Sequence, residues 1–152
     1  MYKIKEVRSG DVNKRAGIII TDGRQILGCL PTPSIKYPNF ERKLDLPKGH
    51  MQEGETPIQS AIRECWEETN IKFEEWKLEY TGEFVYDNAP LFLFRARIDK
   101  IPELSKLNCP STFQKGIVRS PENCNYELVP YEKISERFFP ELCYAIQESI
   151  NK

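Results

Sequence analysis

Residues 56–70, TPIQSAIRECWEETN, constrain this chain more than any other stretch, because their chemistry sorts cleanly on an α-helix and on nothing else. At about 100° per residue, Ile58, Ala61, Ile62, Cys65 and Thr69 share one arc, and Glu64, Glu67 and Glu68 share another. The helix start is encoded as well: Thr56 can cap it, Pro57 suits the first helical position, and Gln59 completes a capping box. Asn70 supplies a left-handed C-terminal cap, so the spacing predicts a helix over Pro57 to Thr69.

The acid arc is unusual. Like charges three and four residues apart repel by roughly a few tenths of a kcal/mol per pair. Arg63 can pair with Glu67 one turn away, which leaves Glu64 and Glu68 less compensated. Either the face is simply solvated, or a hard divalent cation offsets the repulsion; carboxylate oxygens suit Mg²⁺ or Mn²⁺.

The wider pattern decides between these. Gly49, five residues, Glu55, seven residues, then Arg63-Glu64-Cys65-Trp66-Glu67-Glu68-Thr69-Asn70-Ile71 resembles the Nudix box, G-x5-E-x7-R-E-U-x-E-E-x-G-U, with U a bulky aliphatic. Two positions depart from it. Cys65 stands for a larger aliphatic and Asn70 for glycine; a buried cysteine packs as a small hydrophobe and asparagine tolerates the left-handed backbone, so neither touches the acids.

The resemblance implies a Nudix fold: α/β, a mixed β-sheet in an α/β/α sandwich, with the box as loop-helix-loop in one domain over residues 1–152. It implies a hydrolase of phosphoanhydrides that works with Mg²⁺, or Mn²⁺ in its stead. Glu64, Glu67 and Glu68 match the metal-binding acids, and the carbonyl of Lys48 is the expected further ligand. Arg63 matches an orienting arginine, while Gly49, Glu55 and Asn70 occupy structural box positions. A further acid from outside the box is expected as base or ligand, with Glu127 and Glu122 as candidates. The string Leu46-Pro-Lys-Gly-His50 is similar to that of dinucleoside polyphosphate and diphosphoinositol polyphosphate hydrolases. Lys48 and His50, with Arg15 and Arg42, are therefore expected at phosphates, and Tyr86, Tyr37, Phe40 or Phe84 at a base.

Dinucleoside polyphosphates lead as substrates, followed by ADP-ribose or a nicotinamide dinucleotide. The rivals are an RNA 5′-end pyrophosphohydrolase or decapping enzyme and a sensing module that binds nucleotides without cleaving them. The net charge is -1, from 22 basic and 23 acidic residues, which supplies no global field for nucleic acid or membrane, so RNA enters only as a 5′ end. The resemblance also admits a homodimer. No apolar stretch near the N-terminus suggests a signal peptide or a spanning helix, and a cytoplasmic location is expected. Five cysteines without a CxxC pair and one histidine argue against zinc and against a disulfide framework.

Elsewhere the patterning predicts strands at Arg15–Thr21 and Gln25–Leu30 around an Asp22-Gly23 turn. A short segment at Leu44–Leu46 ends at Pro47-Lys48-Gly49. Strands follow from Trp76 to Tyr86 and from Leu91 to Ile98, the second of them central. Residues 101–125 are expected to be irregular, with a weak strand near Thr112–Val118, and to contribute to the substrate rim. A strand at Tyr126–Pro130 and a helix at Phe139–Ile150 complete the chain.

Overall fold

The computed structural model describes residues 13–31, 42–109, 112–115, 118–121 and 123–152, with backbone alone over 112–124. Tyr37, Phe40 and Glu122 lie outside the described residues.

One mixed sheet carries the fold. Its strands are β1 (Arg15–Thr21), β2 (Gln25–Pro31), β3 (Lys48–His50), β4 (Leu78–Tyr86), β5 (Ala89–Arg97) and β8 (Asn123–Pro130). They run in the order β4-β5-β1-β2-β8, with β3 attached to β1. β6 (Thr112–Lys115) and β7 (Val118–Pro121) form a separate antiparallel hairpin. The helices are α1 (Pro57–Thr69), a short α2 (Ile134–Arg137) and α3 (Pro140–Ile150).

Strand β1 organises the sheet because both its edges and both its faces are used. Along one edge it pairs in parallel with β5, from Arg15↔Leu91 to Thr21↔Arg97. The other edge is divided. Its end meets β2 at Thr21↔Ile26, and its beginning meets β3 through Arg15↔His50, Ala16↔Gly49 and Gly17↔Lys48. Gly17 permits that approach, since a Cβ there would lie 2.5 Å from the Lys48 Cβ. The Asp22–Gly23 turn forms as the sequence predicts, with Asp22 Oδ1 accepting from the main-chain N–H groups of Arg24 and Gln25.

Period-2 alternation sends the β1 isoleucines to opposite faces. Ile19 joins Ile26, Leu91 and Leu93 beneath Leu142, Ala145 and Ile146 of α3. Ile18 and Ile20 join Leu27 and Phe94 beneath Ala61 and Cys65 of α1. Two cores, one on each side of the sheet, make the expected three-layer sandwich.

Local elements differ from the sequence reading in four places. Lys48–His50 does not end a strand but forms one, because β1 offers it an open edge. Trp76 belongs to a single 3-10 turn, Glu75–Lys77, and β4 starts at Leu78. The stretch 101–125 is less irregular than expected, since it contains a 3-10 turn at Leu104–Lys106 and the β6–β7 hairpin. Finally, α1 has its predicted bounds and caps, but its buried residues are Ser60, Ala61, Glu64, Cys65, Glu68 and Thr69. The helix is rotated from the predicted apolar arc, so two acids go inward and Ile62 goes outward.

Candidate active site around Arg63

The site lies where β3 hands the chain to the box loop and α1 returns beneath it. The capping box is formed: Thr56 Oγ1 accepts from the Gln59 N–H, and the Gln59 side chain accepts from the Thr56 N–H. Asn70 ends the helix at φ 65°, with its N–H on Trp66 O. Both ends are fixed by local sequence, which sets the extent of the helix that carries the acids.

Arg63 is the hub. Its Nε donates to Glu55 Oε2 at 2.7 Å, and its Nη1 donates to Glu64 Oε1 and Glu67 Oε2, both at 2.9 Å. Its Nη2 donates to the His50 carbonyl at 2.9 Å and to Glu55 Oε1 at 3.1 Å. All five guanidinium N–H groups are thus engaged. Burial works against the Arg63 charge, yet Glu55 and Glu64 outweigh it and hold its pKa above the ordinary arginine value. Burial likewise favours neutral Glu55, but hydrogen bonds from Arg63 and from the Gln52 N–H outweigh it and lower its pKa. The loop is therefore laced to the helix by charge.

A cavity of about 430 Å³ opens beside this network. Glu64, Glu67 and Arg63 line one flank, and Lys48, Gly49, His50 and Arg15 line the other. Glu68 is 5% exposed behind this wall, and its carbonyl accepts from the Tyr126 hydroxyl at 2.6 Å.

The expected cations are held in specific ways. Lys48 Nζ lies 3.1 Å from Asp45 Oδ2 and 4.3 Å from the centre of the Tyr86 ring. Burial disfavours its charge, but Asp45 and Tyr86 more than compensate and raise its pKa. Arg15 sits over the same ring at 5.1 Å and donates from Nη2 to Asp87 Oδ2 at 3.2 Å. Its Nη1 is buried without a hydrogen-bond partner. Tyr86 thus carries two cations at the cavity edge. The His50 side chain is exposed, and its main-chain carbonyl accepts from Arg63 Nη2.

Glu68, expected among the metal-binding acids, does not line this cavity, and three further expected residues are not brought to it. Arg42 is exposed at φ 56° and does not line it. Phe84 packs against the α3-side core and lies edge-on to Tyr144, so it is a packing residue. Glu127 forms a two-point ion pair with Arg137 at 2.7 and 2.9 Å. Along β8, Tyr126 and Leu128 pack on the α1 side and Val129 packs on the other, so alternation turns Glu127 away from α1. Glu127 therefore stands apart from the acids it was expected to join.

Sequence reasoning missed Asp45, Asp87 and Tyr126. Asp45 carried a signal, the three-residue spacing to Lys48. Asp87 and Tyr126 carried none, since their partners are 72 and 58 residues away.

Among the described residues, no three His, Cys, Asp or Glu side chains converge at metal-ligand spacing, since Glu64 and Glu67 are drawn onto Arg63. The donor chemistry still fits a hard divalent cation. Glu64, Glu67 and Glu68 offer carboxylate oxygens within one turn, and Gly49 leaves room for the Glu64 carboxylate where a Cβ would collide with it. Burial pushes the Cys65 thiol up to about 12 and the Cys29 thiol well above its ordinary value, so neither supplies a thiolate at neutral pH.

The structure is similar to several solved ones. An Ap4A hydrolase from C. elegans, in a binary complex, superposes with TM-score 0.56 at 22% identity, covering 90% of this chain and 94% of that one. A MutT protein from Bacillus halodurans gives 0.59 at 18% identity, covering 92% and 83%. A bifunctional NMN adenylyltransferase/ADP ribose pyrophosphatase from Francisella tularensis, complexed with AMP and a manganese ion, gives 0.58 at 20%, covering 89% and 39%. No curated protein matches the chain closely by sequence. The NUDIX domain model matches residues 12–142, which takes in every element from β1 to the start of α3. With the box acids, the capped helix and the three-layer sheet together, the chain belongs to the NUDIX domain family.

Proposed function

We propose that the protein is a divalent-metal-dependent hydrolase that cleaves the pyrophosphate linkage of a nucleoside diphosphate joined to another group. Dinucleoside polyphosphates are the leading substrates, with ADP-ribose and nicotinamide dinucleotides next. One observation carries this reading: a single cavity has Glu64 and Glu67 on one flank and the cations Lys48 and Arg15 on the other. A phosphoanhydride needs both, because its oxygens repel an attacking water until their charge is neutralised.

Glu64, Glu67 and Glu68, with the Lys48 carbonyl, would hold Mg²⁺, or Mn²⁺ in its place. Such an ion neutralises phosphate charge and makes a bound water more acidic. The chain's own residues do the rest. Arg63 fixes the directions of Glu64 and Glu67 through Nη1, and Glu55 anchors Arg63 from behind. A carboxylate has two oxygens, so the arginine contact is compatible with ligation through the second. Glu67 has the most exposed side chain of the acids bound to Arg63, at 30%, so its second oxygen is the most accessible from the cavity. Arg15, braced by Asp87, offers a guanidinium to the phosphates, and Lys48 adds a second charge beside it.

The fold shared with the C. elegans Ap4A hydrolase at 22% identity accords with the dinucleoside polyphosphate preference. An RNA 5′ end is less favoured, because the chain's net charge of -1 offers no global field for a polynucleotide. The test is hydrolysis of diadenosine polyphosphates, ADP-ribose, NADH, nucleoside triphosphates, inositol pyrophosphate and capped RNA with Mg²⁺ or Mn²⁺. Turnover of diadenosine polyphosphates above the others is expected. Turnover of capped RNA alone, or of nothing, would sink the proposal.

A further inference from the structure

A second cavity, of about 570 Å³, opens on the other flank of α1. Gln59, Ile62, Arg63 and Trp66 form its helical wall at i, i+3, i+4 and i+7, a single continuous ridge. Phe73, 8% exposed, closes it from the segment after the helix, and Glu74 and Glu75 lie at its rim with Lys72. Its volume is in the range of a nucleoside site.

Three observations say what belongs there. First, Arg63 lines this cavity as well as the one that holds Glu64 and Glu67, so the two adjoin across one side chain. Second, Trp66 is 44% exposed, and the rotation of α1 that buries Glu64 and Glu68 also turns Ile62 out beside it. An exposed indole and a half-buried branched aliphatic side chain therefore line this cavity beside the acid-lined one. Third, the charge at the rim suits a base and not a phosphate. Glu74 and Glu75 outnumber Lys72, and the five N–H groups of Arg63 are already committed to Glu55, Glu64, Glu67 and the His50 carbonyl. Carboxylates accept from the amino group of a purine and repel its phosphates.

We infer that this cavity is the nucleobase subsite of the enzyme, in which a purine stacks on the indole of Trp66 while the phosphates lie in the adjoining cavity, beside Lys48 and Arg15. The inference rests on the proposed function and adds the residue that reads the base. Stacking on an aromatic ring needs only an accessible face, and it tolerates either purine.

Two measurements test it. Trp66→Ala should raise the KM for diadenosine tetraphosphate about tenfold with kcat little changed, and Trp66→Phe should restore most of the loss. An unchanged KM, or a fall in kcat alone, overturns the inference. The chain has only two tryptophans, and Trp76 does not line the cavity, so Trp76→Phe leaves Trp66 as the sole indole, excited selectively at the red edge of tryptophan absorption. In that variant AMP should quench emission to saturation, and ribose 5-phosphate should not. Equal quenching by both, or none by AMP at concentrations that inhibit hydrolysis, refutes base stacking and leaves the hydrolase reading intact. If no nucleotide is hydrolysed, that reading falls, and the AMP titration still decides whether Trp66 binds a base.

Discussion

The carboxylate of Glu64 occupies the space that a side chain at Gly49 would need: a Cβ there would overlap both carboxylate oxygens. The box glycine is thus required by an acid fifteen residues later, and not by its own backbone angle, because Gly49 is not among the positive-φ glycines.

Gly49→Ala should therefore displace Glu64. A shift of about 1 Å in such a group can cost about 100-fold in turnover, and overpacking adds about 1 kcal/mol or more of instability. Gly54 reverses the case: its Cβ position is open but its φ is +83°, so Gly54→Ala should lower stability by about 1 kcal/mol and spare kcat. Steady-state kinetics and thermal melts of the pair check this; equal kcat values would refute it.

Glu67→Gln and Glu68→Gln should each lower turnover by about two orders of magnitude at saturating Mg²⁺. Glu68 is 5% exposed, and burying a carboxylate costs more than burying an amide of the same shape, so Glu68→Gln should melt at the same temperature or higher. Retained turnover in both variants would remove these acids from the chemistry, and chelation with EDTA should abolish wild-type activity.

Lys48 and Asp45 have side chains 7% and 19% exposed. Asp45→Asn leaves the ammonium buried without its counterion and should cost about 3 kcal/mol of stability. The double variant Asp45→Asn, Lys48→Met should recover much of that loss while raising KM for the polyphosphate, as denaturant titrations and kinetics would show. No recovery in the double variant would mean that Asp45 acts elsewhere.

Glu55 has a pKa held below its ordinary 4.5, with burial opposing the shift and Arg63 outweighing it. A carboxyl depressed in the folded state binds its proton more readily when unfolded. Its contribution is therefore complete above about pH 4.5 and is lost as pH falls through the folded value. Glu55→Gln should melt lower than wild type at neutral pH and converge with it in acid. Parallel curves across that range would contradict this.

Much of this architecture could be read in the chain. The α1 boundaries followed from Thr56, Pro57 and Asn70, since caps are local, and the central place of β5 followed from Leu91–Phe94, which leaves no wet face. The box acids and Arg63 were legible because helical spacing brings them together without help from the rest of the fold. The placement of Glu127 was not legible for the opposite reason: a strand residue's side depends on register and sheet face, and these point it to Arg137.

The sequence by itself determined where α1 starts and stops and which residues on it are acidic, because hydrogen bonds and charge spacing within one helix need no partner. Only the tertiary structure decided how α1 is rotated against the sheet, which sends Glu64 and Glu68 inward and Ile62 and Trp66 outward. The physical reason is that Arg63 must reach Glu55 and the His50 carbonyl on β3 at the same time as Glu64 and Glu67. Closing that set of contacts outweighs the few apolar groups that the helix alone would have buried.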